Sequence, residues 1–355
     1  MSVMDHAVDV REGEEIDPKR VEDFLKENIP DLTGEIAIRQ FPGGFSNLTY
    51  QVTVGKKEMV LRRPPVGAKI KSAHDMAREY KILKALYPVF PYCPKPLAFT
   101  EDPFTMGCPF YVMEKINGII LRKELPQGLS FSPHEARTLC NNLVNLQTDL
   151  HAIDINATEL TFLGKPEGYI KRQVEGWSGR YRNARTPDAP DFEKVISWLN
   201  EKIQPDTDMP TLVHNDYKFD NVVLDPTNPV NIIGVLDWEM ATCGDPLMDL
   251  GNSLAYWIDR TDPPECQLMR TMPTNMEGAL TRRELIDLYC EKTGRNIEKF
   301  DFYLCFGTFR LAVIAQQIYN RYFNGITRDK RFAMLINAVQ ILERSALRII
   351  DDSKI

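Results

Sequence analysis

Residues 212–223 read LVHNDYKFDNVV, in which a polar cluster stands between two short apolar runs. Aliphatic runs of this length favour short buried strands, so residues 214–221 are predicted to form the loop between them. Asn and Asp are frequent turn formers, and an ordinary polar hairpin loop would explain part of the pattern. Packing does not require two aspartates, a lysine and an asparagine at one place, which makes this loop a candidate for chemistry.

A second apolar run, with the sequence NIIGVLDWE at 231–239, begins ten residues after Asn221. A strand-loop-strand-strand unit can therefore bring Asp216, Asn221 and Asp237 together. Neighbouring carboxylates repel each other unless a cation lies between them. Because every ligand offered is an oxygen atom, the pattern favours a hard ion, Mg²⁺, with phosphate groups completing its octahedral shell.

The composition is that of an ordinary globular chain. Of the 355 residues, 43% are hydrophobic and 26% are charged, which excludes a disordered or coiled-coil chain and allows one large domain or two lobes. The net charge of −7 argues against nucleic-acid binding, which needs a basic face. The seven cysteines include no C-x-x-C pair, so we expect reduced thiols and neither a zinc site nor a disulfide framework.

Two segments bear on the location of the protein. Residues 1–16 are acidic and lack an apolar stretch, so we expect a loose tail and no secretory signal. Residues 302–318 are apolar, but Arg310 and two glutamines interrupt the run, which favours a buried helix over a membrane span. The expectation is a cytoplasmic protein without a membrane partner.

The first third of the chain carries mostly β-like runs. Residues 36–63 contain three of them, separated by glycine turns as in an antiparallel meander, and two more follow at 96–99 and 110–114. Helical signals in this part are confined to a short helix at 17–26 and a longer one at 72–86.

Helical spacing dominates the rest of the sequence and is clearest at residues 133–151 and near the C-terminus. The predicted fold is therefore α+β and bilobal. Residues 1–115 would form a small lobe, an antiparallel β-sheet with one helix, and residues 116–355 a larger and mostly helical lobe. A cleft between two such lobes is a favoured place for a ligand.

The order H-x-D-x-x-x-x-N, apolar strand, Asp resembles the catalytic and metal-binding loops of the protein-kinase-like fold. The segments LDWE at 236–239 and GDP at 244–246, with Asp249, resemble the aminoglycoside phosphotransferase family of small-molecule kinases. Within that family the chain is similar to the branch whose kinase-like domains are fused to acyl-CoA dehydrogenases. The resemblance covers roughly residues 30–345. It implies a protein-kinase-like fold and an ATP- and Mg²⁺-dependent transfer of the γ-phosphate to a hydroxyl group of a small molecule.

The resemblance also implies roles for residues of the large lobe. Asp216 would be the catalytic carboxylate that orients the acceptor hydroxyl and takes its proton. Asn221 and Asp237 would hold Mg²⁺ against the ATP phosphates, where the metal neutralises charge on the phosphoryl group in transfer. His214 and Asp249 would brace the loop by hydrogen bonds.

In the small lobe, residues 41–49 would fold over the phosphates. Backbone N–H groups would be offered by Gly44, Phe45, Ser46 and Asn47. An ordinary hairpin turn is the plainer explanation of the Gly-Gly pair in this segment.

Arg62 stands where kinases carry a lysine for the α- and β-phosphates, and a guanidinium can grip phosphate with two N–H groups. Glu79 on the following helix is its expected ion-pair partner, although a solvated surface glutamate would fit the same pattern. Strand alternation would turn Arg63 to the opposite face. Residues 111–116 would be the hinge whose backbone groups, at Glu114 and Ile116 above all, meet adenine.

The chain departs from the family pattern at three places. Asn215 stands where the family usually has glycine, the phosphate loop lacks G-x-G-x-x-G, and Arg62 replaces lysine. The first departure bears on the geometry of the catalytic loop, and the other two bear on how the phosphates are held.

The acceptor site is expected in the large lobe. Residues 164–177, rich in glycine, aromatic and basic residues, are candidates for contact with the acceptor, and a helix start with Trp177 in the core would explain them equally. A polycationic aminoglycoside needs an acidic pocket, whereas this part of the chain is locally basic. We therefore expect an anionic acceptor, such as a hydroxyacyl-CoA-like compound. The basic residues are Lys165, Lys171, Arg172, Arg180, Arg182 and Arg185.

Two other functions compete with a small-molecule kinase. A nucleotide-binding regulator without turnover would keep the fold, but the intact Asp216, Asn221 and Asp237 argue against it. A protein kinase would carry a long activation loop and an Ala-Pro-Glu segment, and the stretch from Asp237 to Asp249 holds neither. A homodimer is the one protein partner considered.

Overall fold

The computed structural model describes residues 6–42, 47–65, 75–295 and 298–355. The described chain has the predicted α+β class and divides into two compact units. The first unit contains Met1–Ile120, Asn156–Phe162 and Asn221–Ala241, and the second contains Leu121–Ile155, Leu163–Asp220 and Thr242–Ile355. The lobe boundary between residues 115 and 116 stays a prediction.

An antiparallel sheet of five strands forms the centre of the first unit. Its strands are β1 (Ile36–Gln40), β2 (Leu48–Val54), β3 (Lys57–Arg63), β4 (Pro96–Thr100) and β5 (Phe110–Glu114). They lie in the order β1-β2-β3-β5-β4. Alternate residues of β2 are buried, as expected for a strand with one face on a core. All five strands match the predicted β-like runs, with ends that differ by one or two residues.

The first unit also holds the helices α1 (Pro18–Asn28), α2 (Met76–Leu86) and α3 (Pro103–Met106). The Asp17 side chain caps α1 by accepting the N–H of Lys19 at 3.0 Å. Asp75 caps α2 in the same way, accepting the N–H of Arg78 at 2.9 Å. The predicted start of this helix at residue 72 lies outside the described residues.

Residues 6–16 pack on the sheet, so the expectation of a loose tail is wrong for them. Val8 pairs with Gln40 through two backbone hydrogen bonds of 2.8 Å. The hydroxyl of Tyr50 donates to the carbonyl of Glu14 at 2.7 Å. Many of these contacts are hydrogen bonds of backbone groups, and the hydrophobic pattern of the segment does not predict such bonds.

Short strands from the middle of the sequence belong to different units. They are β6 (Thr211–Val213), β7 (Val222–Leu224), β8 (Ile232–Val235) and β9 (Thr242–Gly244). β7 and β8 form an antiparallel hairpin in the first unit, where Leu224 also pairs with Ile119 through hydrogen bonds of 2.8 and 2.9 Å. A Cβ at Gly118 would lie 2.4 Å from the carbonyl oxygen of Leu224, so this close approach requires glycine. In the second unit, β6 pairs with β9.

The second unit is otherwise helical. The buried side chains of α10 include Arg310, as predicted for residues 302–318, and Val339, Leu342 and Ala346 form the buried face of α11. Trp177 is buried on α5, so residues 169–177 form the predicted helix start. The helices are α4 (Pro133–His151), α5 (Tyr169–Ala184), α6 (Glu193–Glu201), α7 (Pro246–Ala255), α8 (Pro264–Met269), α9 (Arg282–Thr293), α10 (Phe300–Phe323) and α11 (Leu335–Asp352).

Two predictions concern membrane-spanning helices and disulfide bonds in the part of the chain that the structure describes. Each helix there is too short or too polar to cross a lipid bilayer. The seven cysteines, all of them within the described ranges, are unpaired thiols.

Candidate active site

Arg62 is the central cation of the first unit. It lies on β3 with its side chain 9% exposed, and its Nη1 donates to Oε1 of Glu79 on α2. The guanidinium also contacts Oδ1 of Asp237 at 3.1 Å from both Nη atoms. Oε2 of Glu239 lies 3.5 Å from Nη2. The structure therefore contains the predicted Arg62–Glu79 ion pair, within a group of four residues that we call the Arg62 cluster.

The charges of the Arg62 cluster do not balance, because one guanidinium faces three carboxylates. Burial disfavours the charged form of Arg62, but the carboxylates of Glu79, Asp237 and Glu239 hold the pKa of Arg62 well above its usual value. Burial raises the pKa of Glu79, and the attraction of Arg62 opposes this change. A site with surplus negative charge attracts a further cation.

Asn47 joins this cluster through Glu239. It lies directly before β2, is 2% exposed, and its Nδ2 donates to Oε2 of Glu239 at 2.8 Å. Gly44, Phe45 and Ser46, the other predicted phosphate-loop residues, lie outside the described residues. Asn47 is the one predicted phosphate-loop residue within the described ranges, and it contacts the Arg62 cluster.

Arg78 ties helix α2 to the segment that follows β8. Its Nη1 donates to the carbonyl of Glu239 at 3.1 Å, and its Nη2 donates to the carbonyl of Ala241. Because Glu79 is the next residue on α2, one helical turn holds both the guanidinium of Arg62 and the backbone after Asp237.

The hairpin of β7 and β8 places the two predicted metal ligands at its open end. Val222 pairs with Val235, and the carbonyl of Asn221 accepts the N–H of Leu236 at 2.7 Å. Asp237 follows with a φ of +68°, in the left-handed region that few residues other than glycine adopt. Its side chain is 31% exposed.

These donors fit Mg²⁺ by their chemistry, since carboxylate and amide oxygens are its preferred protein ligands. Among the described residues, no three His, Cys, Asp or Glu side chains come together as a ready-made metal site. Mg²⁺ at phosphoryl-transfer sites is usually held by one or two carboxylates and by the phosphates of the nucleotide. Asn221 and Asp237 are therefore suited to an ion that is shared with a bound nucleotide.

The predicted adenine hinge lies at the end of β5. Glu114 has an exposed side chain, and its N–H donates to the carbonyl of Lys95 at 2.8 Å. Ile116 packs so closely on β8 that a Cβ at Gly234 would lie 2.7 Å from its Cδ1. Within the described ranges, the backbone of Ile116 forms no hydrogen bond with another backbone group, and its contact with adenine stays a prediction.

In the second unit, the buried carboxylate of Asp249 holds the start of the predicted catalytic loop. It accepts the backbone N–H of His214 at 3.1 Å and that of Asn215 at 2.5 Å. Burial opposes its ionisation, but the hydrogen bond and the electrostatic interaction with His151, with further help from His214, lower the pKa of Asp249. The N–H of Asp216 donates to Nδ1 of His214 at 3.2 Å. Both predicted bracing residues therefore bond to this loop.

Asn215 explains how the loop does without the family's glycine. Its φ is +64°, a left-handed conformation that asparagine adopts more readily than most residues. Its Oδ1 accepts from Nδ2 of Asn252 at 3.1 Å and from the hydroxyl of Tyr169 at 3.4 Å. The side chain thus fixes a conformation that glycine would only permit.

The predicted catalytic carboxylate, Asp216, is 20% exposed and pairs through Oδ2 with Nζ of Lys218. The same Nζ lies 3.4 Å from Oδ1 of Asp220 and 4.9 Å from the centre of the Tyr256 ring. Burial disfavours the charge of Lys218, but Tyr256 and the two carboxylates raise the pKa of Lys218. The ammonium group therefore fixes the orientation of Asp216.

Three residues of these clusters have no role predicted from the sequence, namely Glu239, Lys218 and Arg78. The signal for Glu239 was present in the quoted LDWE segment, and the signal for Lys218 was its place two residues after Asp216. Arg78 is adjacent to Glu79, but nothing in the sequence shows that its side chain reaches the carbonyls after Asp237.

Comparison with known proteins identifies the family. The sequence model of the phosphotransferase enzyme family matches residues 37–271. Human acyl-CoA dehydrogenase family member 11 is 33% identical over 340 residues, which are 94% of this chain and 43% of that protein. The chain therefore spans less than half the length of this curated relative.

Solved structures agree on the fold. A protein from Ralstonia eutropha, provisionally named an aminoglycoside phosphotransferase, is 28% identical with a TM-score of 0.80, covering 96% of this chain and all of that one. An aminoglycoside phosphotransferase in ternary complex with ADP and hygromycin B is 16% identical with a TM-score of 0.56, covering 92% and 98% of the two chains. The chain has the protein-kinase-like fold and belongs to the phosphotransferase enzyme family.

Proposed function

We propose that this chain is an ATP- and Mg²⁺-dependent phosphotransferase that moves the γ-phosphate to a hydroxyl group of a small molecule. Its membership of the phosphotransferase enzyme family supports the reaction type. The Arg62 cluster is the observation that carries the proposal. A buried guanidinium held by a helix carboxylate, with the partly exposed Asp237 beside it, is the arrangement that a magnesium-bound phosphate chain needs.

Arg62 binds the phosphate chain in this proposal. A guanidinium has five N–H donors, and Arg62 can bind phosphate oxygens in place of Asp237, which both Nη atoms contact, while it keeps its bond to Glu79. Glu79 fixes the direction of the guanidinium from α2, which prepares it for a ligand. Asn47, held by Glu239, fixes the end of the segment that is proposed to cover the phosphates.

Asn221 and Asp237 hold Mg²⁺ in this proposal. When bound, the ion neutralises charge that develops on the transferring phosphoryl group. Glu239 adds negative charge beside Asp237 and so favours the cation.

Asp216 orients the acceptor hydroxyl and accepts its proton. Lys218 fixes the Asp216 carboxylate through Oδ2, and Asp249 and His214 fix the backbone around it. The carboxylate is thus presented in one orientation, which is the condition for efficient proton transfer.

A phosphotransfer assay with the purified chain, Mg·ATP and a library of hydroxyl metabolites tests the proposal. We expect ADP release that depends on one class of acceptor. Asp216→Asn should lower turnover about 100-fold or more, while calorimetry shows that ATP still binds. Unchanged turnover in this variant would contradict the role of Asp216. ATP binding without transfer to any acceptor would instead favour a nucleotide-binding regulator.

The acceptor is proposed to be anionic, because α5 and the residues around it carry several basic side chains. Steady-state assays of hydroxyacyl thioesters against aminoglycosides address this point. We expect turnover with the thioesters, and a preference for aminoglycosides would overturn the acceptor assignment while leaving the phosphotransferase intact.

A protein substrate is disfavoured by the connection between Asp237 and Asp249. This connection consists of a single turn at Trp238–Met240, strand β9 and the start of α7. It is therefore too short to contain an activation loop. The proposal also includes a cytoplasmic location, where ATP is available, and no nucleic-acid or membrane partner. Light scattering of the purified chain checks whether it forms a homodimer.

A further inference from the structure

Two arginines lie against one tryptophan in the second unit. Trp177 on α5 is 5% exposed, and its Nε1 donates to Oε1 of Gln173 at 3.1 Å. Cζ of Arg180 lies 4.5 Å from the centre of the Trp177 ring, and Cζ of Arg310, on α10, lies 4.9 Å from it. Both distances are within the range of a cation–π contact.

The arrangement brings like charges together. Both distances are measured to the same ring, so the two guanidinium carbons lie within about 10 Å of each other, roughly one Debye length. Burial and the charge of Arg310 lower the pKa of Arg180. Arg180 forms no ion pair with a carboxylate of the described residues, whereas Arg182 on the same helix pairs with Glu193 at 2.7 and 2.9 Å. The guanidinium donors of the exposed Arg180 are therefore available to an anion.

The helix surface next to Arg180 is open. A Cβ placed at Gly176 or Gly179 would meet no described atom outside its own helix within 4 Å. Glycine weakens a helix interior, and packing against the described residues does not require it here. Because the two glycines have no side chains, they leave the surface of α5 uncovered near Trp177. A ligand can approach the exposed Arg180 there.

The arginine pair is connected electrostatically to the catalytic loop through Tyr256. Burial and the carboxylate of Asp216 raise the pKa of Tyr256 to about 12, while the charges of Lys218 and Arg310 oppose this shift. Arg310 and Asp216 therefore act on the same side chain within one unit. Lys218, the ion-pair partner of Asp216, lies 4.9 Å from the centre of the Tyr256 ring, so Tyr256 is next to the predicted catalytic loop.

We propose that Arg180 and Arg310, with Trp177, form a subsite for an anionic group of the acceptor, a phosphate or a carboxylate remote from the hydroxyl that receives the phosphoryl group. The inference rests on the proposed function, since an acceptor exists only if the chain is a phosphotransferase. The exposed Arg180 makes the direct contact. Arg310 adds its charge from the interior of the unit and fixes the Trp177 ring by stacking on it.

Calorimetry on the full chain with two probes tests the subsite. Coenzyme A supplies phosphate groups and glutarate supplies carboxylates, and saturating ADP with Mg²⁺ keeps either probe out of the proposed nucleotide site. We expect at least one probe to bind, and which one binds identifies the anion. Arg180→Gln should weaken that binding about 10- to 100-fold. Arg182→Gln is the matched control, with the same loss of charge on the same helix, and should change the affinity less than twofold.

Each outcome separates the subsite from the function on which it rests. Equal effects of the two substitutions, or no binding of either probe to the unmodified chain, would overturn the subsite. Phosphotransfer by Arg180→Gln with an unchanged acceptor KM would also overturn it and leave the phosphotransferase in place. A chain that neither binds ADP nor turns over ATP, but whose probe binding still depends on Arg180, would overturn the function and keep the anion site.

Discussion

At the scale of single residues, Asp249 connects the catalytic loop to the interior of its unit. Its Oδ2 accepts the N–H of His214, and its Oδ1 accepts the N–H of Asn215. It also bonds to Nε2 of His151 at 3.0 Å, and Nδ1 of that histidine lies 2.7 Å from the hydroxyl of Tyr289. A buried chain of hydrogen bonds thus runs from α9 through α4 and α7 to the loop, and it makes His151 and Tyr289 positioning residues.

Removing the last link of this chain should change the rate without changing nucleotide binding. In Tyr289→Phe we expect a kcat that is several-fold lower, an unchanged KM for ATP, and a loss of about 1 kcal/mol in the free energy of unfolding. Tyr181→Phe is the control, because it deletes a buried phenol bond of 2.6 Å to the carbonyl of Pro190 in the same unit. Steady-state kinetics and urea unfolding of both variants measure the effect, and an equal fall in kcat in the two would disprove positioning.

Asp249 also predicts how stability responds to acid. Its pKa is lower in the folded chain than in the unfolded one, so its contribution is complete above about pH 4 and is lost as the pH falls further. The difference in unfolding free energy between the chain and Asp249→Asn should therefore be largest near neutral pH and shrink as the pH falls below about 4. Urea unfolding at several pH values measures it. A difference that grows on acidification would show that the carboxylate is protonated in the fold.

The fixed spacing in the sequence predicted candidate site residues such as Asp216 and Asp237. It did not reveal Glu239 or Lys218 as members of the same clusters, because their contacts depend on side-chain directions that spacing does not determine. Because the family usually has glycine at the position of Asn215, the sequence left the geometry of this loop open. The left-handed φ of Asn215 and its side-chain hydrogen bonds define that geometry.

At the scale of elements, α2 couples two parts of the Arg62 cluster. Glu79 contacts Arg62, and Arg78 bonds to the carbonyls of Glu239 and Ala241. A helix that holds both the cation and the loop behind the carboxylates keeps the phosphate site assembled before any nucleotide arrives.

Breaking this coupling should weaken nucleotide binding. Arg78→Gln removes two hydrogen bonds to the loop, and we expect the Kd for Mg·ATP to rise about tenfold. Lys81→Gln, on the exposed side of the same helix, is the charge-matched control and should bind normally. Calorimetry of both variants tests the coupling, which would be excluded if they bind Mg·ATP equally well.

The elements with regular patterns were predictable, and those held by a few backbone bonds were not. The meander of β1 to β3 follows from strand-like runs between glycine turns. In contrast, β9 has only three residues, and the segment before α1 is attached by Val8 and Glu14 through backbone groups. Such pairings depend on the rest of the fold, so local sequence carries no signal for them.

At the scale of the whole molecule, a bound nucleotide should stabilise the fold. At a concentration 100 times its Kd, a ligand that binds only the folded chain adds about 2.7 kcal/mol to the free energy of unfolding. Thermal unfolding with Mg·ATP should shift upward by a few degrees. Asp237→Ala should lose most of this shift, while Asp225→Ala, in the turn of the same hairpin, should keep it. The metal role of Asp237 would be refuted by equal shifts.

The interleaving of the two units has a consequence for evolution by recombination. Residues 221–241 return to the first unit after a long passage through the second, and they bring Asp237 to Arg62 and Leu224 to Ile119. A single crossover near residue 120 would separate these partners and leave both halves incomplete. We therefore expect that a chimera joined near residue 120 loses stability unless its second half keeps side chains that match Arg62 and Ile119.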